Sequence, residues 1–110
     1  MTTEPRVGRA DLHIHSLASD GTAGVEAILD HVEARGDLDV ISISDHERID
    51  AALAAQSMAR DRGLRVEVVV GEEITTLGGH LLALFLDRPI RPYRSMRTSI
   101  LAVHDAGGLA

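Results

Sequence analysis

The residues with the clearest chemical potential lie near the start of the chain, where histidines alternate with apolar residues. Residues 11–15 read Asp-Leu-His-Ile-His, and this two-residue period predicts a β-strand with His13 and His15 on one face. Asp20 follows in a short polar segment. Two imidazoles and a nearby carboxylate are donors that Zn, Mn and Fe accept. The stretch therefore predicts one edge of a metal site, the alternative being a strand whose histidines face solvent.

Further histidines and acids recur where later strands are expected to end. Asp45-His46 follows the second predicted strand, Glu72-Glu73 follows the third, and His80 begins the fourth. A fourth strand that runs antiparallel would start at the rim where the parallel strands end. Folds built from β/α units place their active sites at that rim. The pattern predicts a hydrolytic site for two or three metal ions.

Alternating strands and helices must position these residues. Apolar periodicity and turn residues predict strands over 9–15, 39–44, 65–70 and 79–86, and helices over 25–36, 50–62 and 93–106. Thr22 is the predicted N-cap of the first helix, residues 74–77 could extend the third strand, and residues 109–110 could begin another. The order β-α-β-α-β-β-α predicts a largely parallel sheet with helices packed on it. Four strands cannot close a barrel, so we expect a partial one.

Composition narrows the functional classes. The 110 residues carry a net charge of −6, with one Phe, one Tyr, no Trp and no Cys. The acidic balance and the few aromatic residues argue against a long nucleic acid as partner, and the absence of Cys excludes thiolate zinc sites. No apolar run could span a bilayer, and residues 1–9 lack the apolar core of a signal peptide. We therefore expect a cytoplasmic protein that does not bind membranes.

The ordered set of motifs resembles the polymerase and histidinol phosphatase (PHP) family. The residues that carry the resemblance are His13-x-His15 with Ser16, Ser19, Asp20 and Gly21, then Ser44-Asp45-His46, Gly71-Glu72-Glu73-Ile74, and Gly79-His80. The histidine pair alone also resembles amidohydrolases, but the later motifs favour PHP. The resemblance covers residues 9–110 and implies the first half of a distorted (β/α)7 TIM-like barrel. Residues 1–8 are predicted to be a flexible N-terminal lead-in.

The resemblance also implies a phosphoesterase that uses two or three divalent ions (Zn, Mn or Fe) to hydrolyse a small phosphorylated metabolite or a nucleotide. The implied metal ligands are His13, His15, Asp20, His46, Glu73 and His80. The family spacing selects Glu73 over Glu72, which is left behind the ligands or at the surface. Asp45 could orient a histidine, and Arg48 could hold a phosphate or be a solvated loop residue. Asp11 shares strand parity with the histidines and could support them.

Later motifs of the family are absent from this sequence: an Ala-His-Pro-like turn and a C-terminal Asp-x-His. Three interpretations therefore stay open. The chain is a PHP phosphoesterase, a non-catalytic or truncated PHP metal-binding module, or an amidohydrolase-like metal hydrolase. The chain could complete its core by self-association. His31 and His104 are interpreted as helix residues rather than ligands.

Overall fold

A computed structural model describes residues 7–110, so most of the predicted lead-in (residues 1–8) lies outside the described part of the chain. Seven helices and strands follow one another in the predicted order. They are β1 (Ala10–Ile14), α1 (Val25–Arg35), β2 (Val40–Ile43), α2 (Asp50–Asp61), β3 (Glu67–Thr76), β4 (Gly79–Leu84) and α3 (Met96–Asp105). The treatment of residues 9–110 as one domain stays a prediction.

The four strands form one sheet in the order β1-β2-β3-β4. The pairs β1–β2 and β2–β3 are parallel, and the pair β3–β4 is an antiparallel hairpin. Parallel neighbours need a crossover, and the helices α1 and α2 supply the two that this sheet requires. The hairpin reverses the chain, so the start of β4 lies beside the end of β3. The result is a mixed α/β half-barrel with three helices.

One face of the sheet packs against the helices and contains the hydrophobic core. Ile41 and Ile43 align with Val68 and Val70 on this core face, because parallel register places them side by side. The fully buried core residues come from three helices and three strands: Leu29, Ile41, Ile43, Ala55, Ile74, Ala83 and Val103. The opposite, inner face carries the alternate residues of each strand, among them Ser42 and Glu73. The sheet thereby separates Glu73 and the other inner-face residues from the hydrophobic core.

The strict alternation predicted for β1 is interrupted. The register with β2 shifts between Asp11 and Ile14, as at a β-bulge. Asp11 therefore aligns with Ile41 and lines a cavity of about 420 Å³ between β1 and α1. The prediction that Asp11 shares a face with the histidines is wrong for this reason.

Strand β3 continues through Glu72 and Glu73 to Thr76, because β4 supplies backbone partners along residues 71–76. The predicted extension over residues 74–77 is thus confirmed as far as Thr76. Two helix starts differ from the predictions. Helix α1 is capped by Gly24 without a side-chain hydrogen bond, so Thr22 is not its cap. Helix α3 begins later than predicted, where Ser95 accepts a hydrogen bond from the backbone of Thr98. Within residues 7–110, no helix has the length and apolar character needed to cross a membrane.

Candidate metal centre

Glu73 is the hub of a histidine cluster at the rim of the sheet. Its Oε1 atom lies 2.8 Å from His13 Nε2 and 2.7 Å from His15 Nε2. The same atom lies 3.9 Å from His46 Nε2, and Oε2 lies 3.5 Å from His80 Nδ1. One carboxylate from β3 thus lies near four histidines. One is in β1, one directly follows β1, one follows β2 and one is at the start of β4.

Asp20 adds a second carboxylate from the loop that follows β1. Its Oδ1 atom lies 2.5 Å from His15 Nδ1, and its Oδ2 atom lies 3.2 Å from His46 Nε2. His15 therefore faces an acid through each of its two ring nitrogens. The structure brings together all six residues that the sequence motifs single out as ligands: His13, His15, Asp20, His46, Glu73 and His80.

The six side chains form three overlapping groups of three. Within each group the potential ligand atoms lie within 4.8 Å of one another. The groups are His13, His15 and Glu73; His15, Asp20 and His46; and His46, Glu73 and His80. Each pair of groups shares a residue, which is the arrangement that adjacent ions with common ligands require.

The donor atoms fit divalent ions on chemical grounds. His15 Nε2 is buried and makes no hydrogen bond, although a Glu73 oxygen lies 2.7 Å away. A buried polar atom without a partner is costly, and a cation coordinated there would satisfy it. A set of imidazole nitrogens and carboxylate oxygens without thiolates suits Zn, Mn or Fe.

The histidines and carboxylates of the cluster shift one another's pKa values. Partial burial lowers the pKa of His15, but the hydrogen bond to Asp20 and the charges of Asp20 and Glu73 outweigh it and raise that pKa overall. Desolvation raises the pKa of Asp20 and of Glu73, but the neighbouring histidines reverse the effect and lower both pKa values. Both carboxyl groups are therefore held in the deprotonated form that metal coordination needs.

Asp45 is buried and shapes the loop that carries Asp20. Its Oδ1 atom accepts hydrogen bonds from the backbone of Ser16 (2.7 Å) and from Ser19 Oγ (2.6 Å). Its Oδ2 atom accepts from Ser16 Oγ at 2.6 Å. These serines, and not a histidine, are the partners of Asp45, because the loop after β1 folds back over the end of β2. The hypothesis that Asp45 orients a histidine is corrected accordingly.

Arg48 links two loops through contacts of all three guanidinium nitrogens. Its Nε and Nη2 atoms each donate to Asp50 at 2.7 Å, and its Nη1 atom donates to the backbone oxygen of Ala18 at 3.0 Å. The guanidinium is thus engaged on every nitrogen. These contacts tie the loop after β1 to the loop after β2, and the phosphate-binding role of Arg48 stays a prediction.

Glu72 lies on the core face, opposite Glu73. It is fully buried, so the expectation of a surface position is wrong. Its Oε1 atom accepts from the backbone N–H of Ile90 at 2.8 Å, whereas Oε2 has no partner. Burial raises the pKa of Glu72 to about 7; the Ile90 N–H opposes this shift and the charge of Glu47 adds to it.

Two residues near the centre have roles that the sequence reasoning did not assign. A Cβ atom on Gly21 would lie 2.2 Å from the backbone oxygen of His15, so only glycine lets the Asp20 loop approach β1 this closely. Gly21 is part of the first sequence motif, but the sequence does not indicate this close contact with His15. Glu47 contacts the backbone of β3, and no local sequence signal indicates this because the contact spans 28 residues.

Comparison with solved structures identifies the fold. A two-domain protein from Bacteroides vulgatus, which contains a predicted PHP-like metal-dependent phosphoesterase, matches 91% of this chain and 33% of its own at a TM-score of 0.74 and 23% identity. The fold is that of the PHP-like phosphoesterases. The PHP resemblance expected from the sequence is thereby confirmed. No protein-family model matches the chain.

Two other solved structures share this PHP-like fold. A candidate metal-dependent phosphoesterase from Bifidobacterium adolescentis is 27% identical, with a TM-score of 0.64, over 77% of this chain and 30% of that one. An amidohydrolase from Chromobacterium violaceum, solved with sulfate and without metal, is also 27% identical with a TM-score of 0.64, over 74% of this chain and 29% of that one. Both matches support the assignment of this fold.

Sequence relatives extend the comparison. An uncharacterised protein from Methanocaldococcus jannaschii is 32% identical over 113 aligned residues, which cover 93% of this chain and 64% of that protein. A 5′-3′ exoribonuclease from Haemophilus influenzae is 33% identical over 82 residues, which cover 71% of this chain and 29% of that enzyme. The PHP-like chain therefore spans less than two thirds of the length of either relative.

Proposed function

We propose that this chain is a metal-dependent phosphoesterase that binds two or three Zn, Mn or Fe ions through its six clustered ligands. One observation carries the proposal: four imidazoles and two carboxylates from four separate strands or their loops converge within coordination distance at one rim. In this proposal the half-barrel is the first part of a (β/α)7 PHP barrel.

The residues of the centre divide the work. Glu73 and Asp20, both deprotonated, would hold the ions together with the histidines around them. Divalent ions bound here would supply Lewis acidity to a water molecule and to phosphate oxygens. His13 and His80 are each about half exposed, at 50% and 55% of their side-chain surface, and so leave the centre open to substrate. Asp45 holds the loop that presents Asp20.

The charge of the chain and the comparisons support one proposed substrate class. We propose a small phosphorylated metabolite or a nucleotide, since an acidic chain with few aromatic residues has little to offer a long polynucleotide. The similarity to a 5′-3′ exoribonuclease supports the nucleotide arm of this proposal. The similarity to an amidohydrolase supports a second candidate, a metal hydrolase of another bond type.

Metal content and hydrolysis test the proposal together. Purified wild-type protein should contain two or more divalent ions per chain and should hydrolyse an aryl phosphate and a 5′-mononucleotide when Mn²⁺ is added. The double variant His13→Ala/His15→Ala should lose at least one ion and more than about 100-fold of the hydrolysis rate, because it removes two ligands outright. A matched control, His31→Ala/His104→Ala, removes two exposed helix histidines and should retain both properties.

Each alternative has its own result. Hydrolysis that survives His13→Ala/His15→Ala removes the centre from the reaction and contradicts the proposal. Bound ions without turnover of any phosphoester indicate a non-catalytic PHP module. Turnover of an amide or lactam in place of phosphoesters indicates the amidohydrolase-like alternative.

A further inference from the structure

We infer that Glu47 is a positioning residue of the metal centre, whose carboxylate holds Glu73 and His46 where a divalent ion needs them. The inference rests on the proposed metal site and goes beyond it, since Glu47 is outside the ligand set. It is carried by a continuous series of hydrogen bonds between the end of β2 and the part of β3 that contains Glu73.

Backbone pairing continues past the end of β2. The N–H of Glu73 donates to the backbone oxygen of Asp45 at 3.0 Å, and the N–H of Glu47 donates to the backbone oxygen of Glu73 at 3.2 Å. His46 and Glu73 consequently form a parallel bridge. Asp45 and Glu47, which flank His46, thus hold the backbone N–H and C=O groups of Glu73 in place.

At Glu47 the chain leaves this ladder. Its φ angle is +54°, in the left-handed region that side-chain-bearing residues seldom adopt. Such a conformation persists only where surrounding contacts hold it. The turn carries the following residues away from β3 and leaves the next β3 amide on that edge, Thr75, without a backbone acceptor from this segment.

The side chain of Glu47 replaces the missing acceptor. Its Oε1 atom accepts the Thr75 N–H at 2.5 Å. Glu47 therefore grips β3 at two points, with its backbone N–H at Glu73 and its carboxylate at Thr75. Because the Glu73 carboxylate contacts four histidines, a small shift of β3 at this point changes the distances from Glu73 to all four of them.

Three substitutions at Glu47 distinguish the effect of its carboxylate from the effect of its positive φ angle. Glu47→Gln keeps an acceptor oxygen, Glu47→Ala removes it, and Glu47→Gly removes it while relieving the positive φ. Affinity for Co²⁺ or Mn²⁺ is measured by competition with a chromophoric chelator, the Co²⁺ absorption spectrum reports ligand geometry, and urea unfolding of the metal-free proteins reports stability. We expect the Ala and Gly variants to bind about 10- to 100-fold more weakly with an altered Co²⁺ spectrum, and the Gln variant to resemble wild type.

A matched control relieves the same backbone strain elsewhere. Phe85 has a φ of +62°, is 55% exposed and follows the far end of β4, so Phe85→Gly should leave metal affinity unchanged. Wild-type affinity in Glu47→Gly or Glu47→Ala would overturn the inference, as would an affinity loss with an unchanged Co²⁺ spectrum. Wild-type protein that binds no ion would instead remove the proposed function on which the inference rests.

Discussion

Two adjacent glutamates show how position decides the chemistry of a residue. Glu73 points to the inner face, where histidines lower its pKa and keep it charged. Glu72 points into the core, where burial raises its pKa to about 7. Because side chains alternate across a strand, one step along β3 separates a metal-binding carboxylate from one that favours its protonated form.

Glu72→Gln should change the pH dependence of stability. The native pKa of Glu72, about 7, exceeds its ordinary value of 4.5, so the folded state binds more protons than the unfolded state between those values. Stability from this group is complete below pH 4.5 and is lost as pH rises through 7. The Gln variant cannot ionise, so with metal removed it should be more stable than wild type at pH 8 by roughly 3 kcal/mol, and about equal at pH 4.

Urea unfolding at several pH values measures this difference. The matched control is Glu67→Gln, at an exposed position of the same strand, which should follow the wild-type pH profile. If the wild-type and Glu72→Gln curves stay parallel from pH 4 to pH 8, the carboxyl group does not titrate as the buried environment requires.

At the scale of strands and helices, local patterns predict most of this fold. The apolar periodicity of α1 and α2 and the β-branched runs of β2 and β3 were sufficient to place these elements, because each pattern lies within a few neighbouring residues. The continuation of β3 to Thr76 depends on pairing with β4, and the bulge in β1 depends on register with β2. The sequence of β1 alone does not indicate the bulge, and the sequence of β3 alone indicates only that an extension is possible.

In the candidate site, too, local sequence predicts some features, and contacts between distant residues determine the others. The resemblance of the ordered motifs to the PHP family implied the six side chains that converge, and each lies in a strand or in the loop that follows one. The partners of Asp45 lie 26 and 29 residues away in the chain, and the contact of Glu47 spans a similar distance. Such hydrogen bonds depend on how loops fold over the rim, which composition and spacing do not specify.

Packing between β2 and β3 gives a test at this scale. A Cβ atom on Gly71 would lie 2.3 Å from Ser42 Oγ and 3.0 Å from the backbone oxygen of Ala83. Gly71→Ala should therefore destabilise the fold by about 1–3 kcal/mol. Ser42→Ala removes a buried hydroxyl that has no hydrogen-bond partner, so it should cost little by itself and should relieve part of the clash in the double variant.

A double-mutant cycle measured by urea unfolding tests this prediction. The double variant should be more stable than the sum of the single effects predicts, with a coupling of at least about 0.5 kcal/mol. Gly78→Ala is the control, because a Cβ atom there meets Met96 at an ordinary 3.5 Å. Additive effects of Gly71→Ala and Ser42→Ala would show that the two positions do not press on each other.

For the molecule as a whole, the half-barrel leaves apolar surface at its first strand. Within residues 7–110, β1 pairs only with β2, and Leu12 on β1 is 38% exposed. The cavity between β1 and α1 is lined by Ile14, Ile28 and Val32 among others. Exposed strand edges are common sites of association, so self-association with a second copy stays our prediction.

Sedimentation over a range of concentrations tests this association. We expect the average mass to rise from that of one chain toward that of two, and Leu12→Lys to suppress the rise because a charge on an edge strand opposes pairing. The control is Leu77→Lys, at a 77% exposed position in the β3–β4 turn, which should associate as wild type does. A single-chain mass at every concentration would contradict the prediction.

The hairpin that brings His80 to Glu73 also has a consequence for the order of folding. These two residues are close in sequence, whereas the parallel pairing of β1 with β2 must close a longer connection that contains α1. Loop closure costs less entropy for short loops, and local contacts form sooner than distant ones. We therefore expect the β3–β4 half of the centre to assemble early, and the histidines of β1 to join a site whose central carboxylate is already in place.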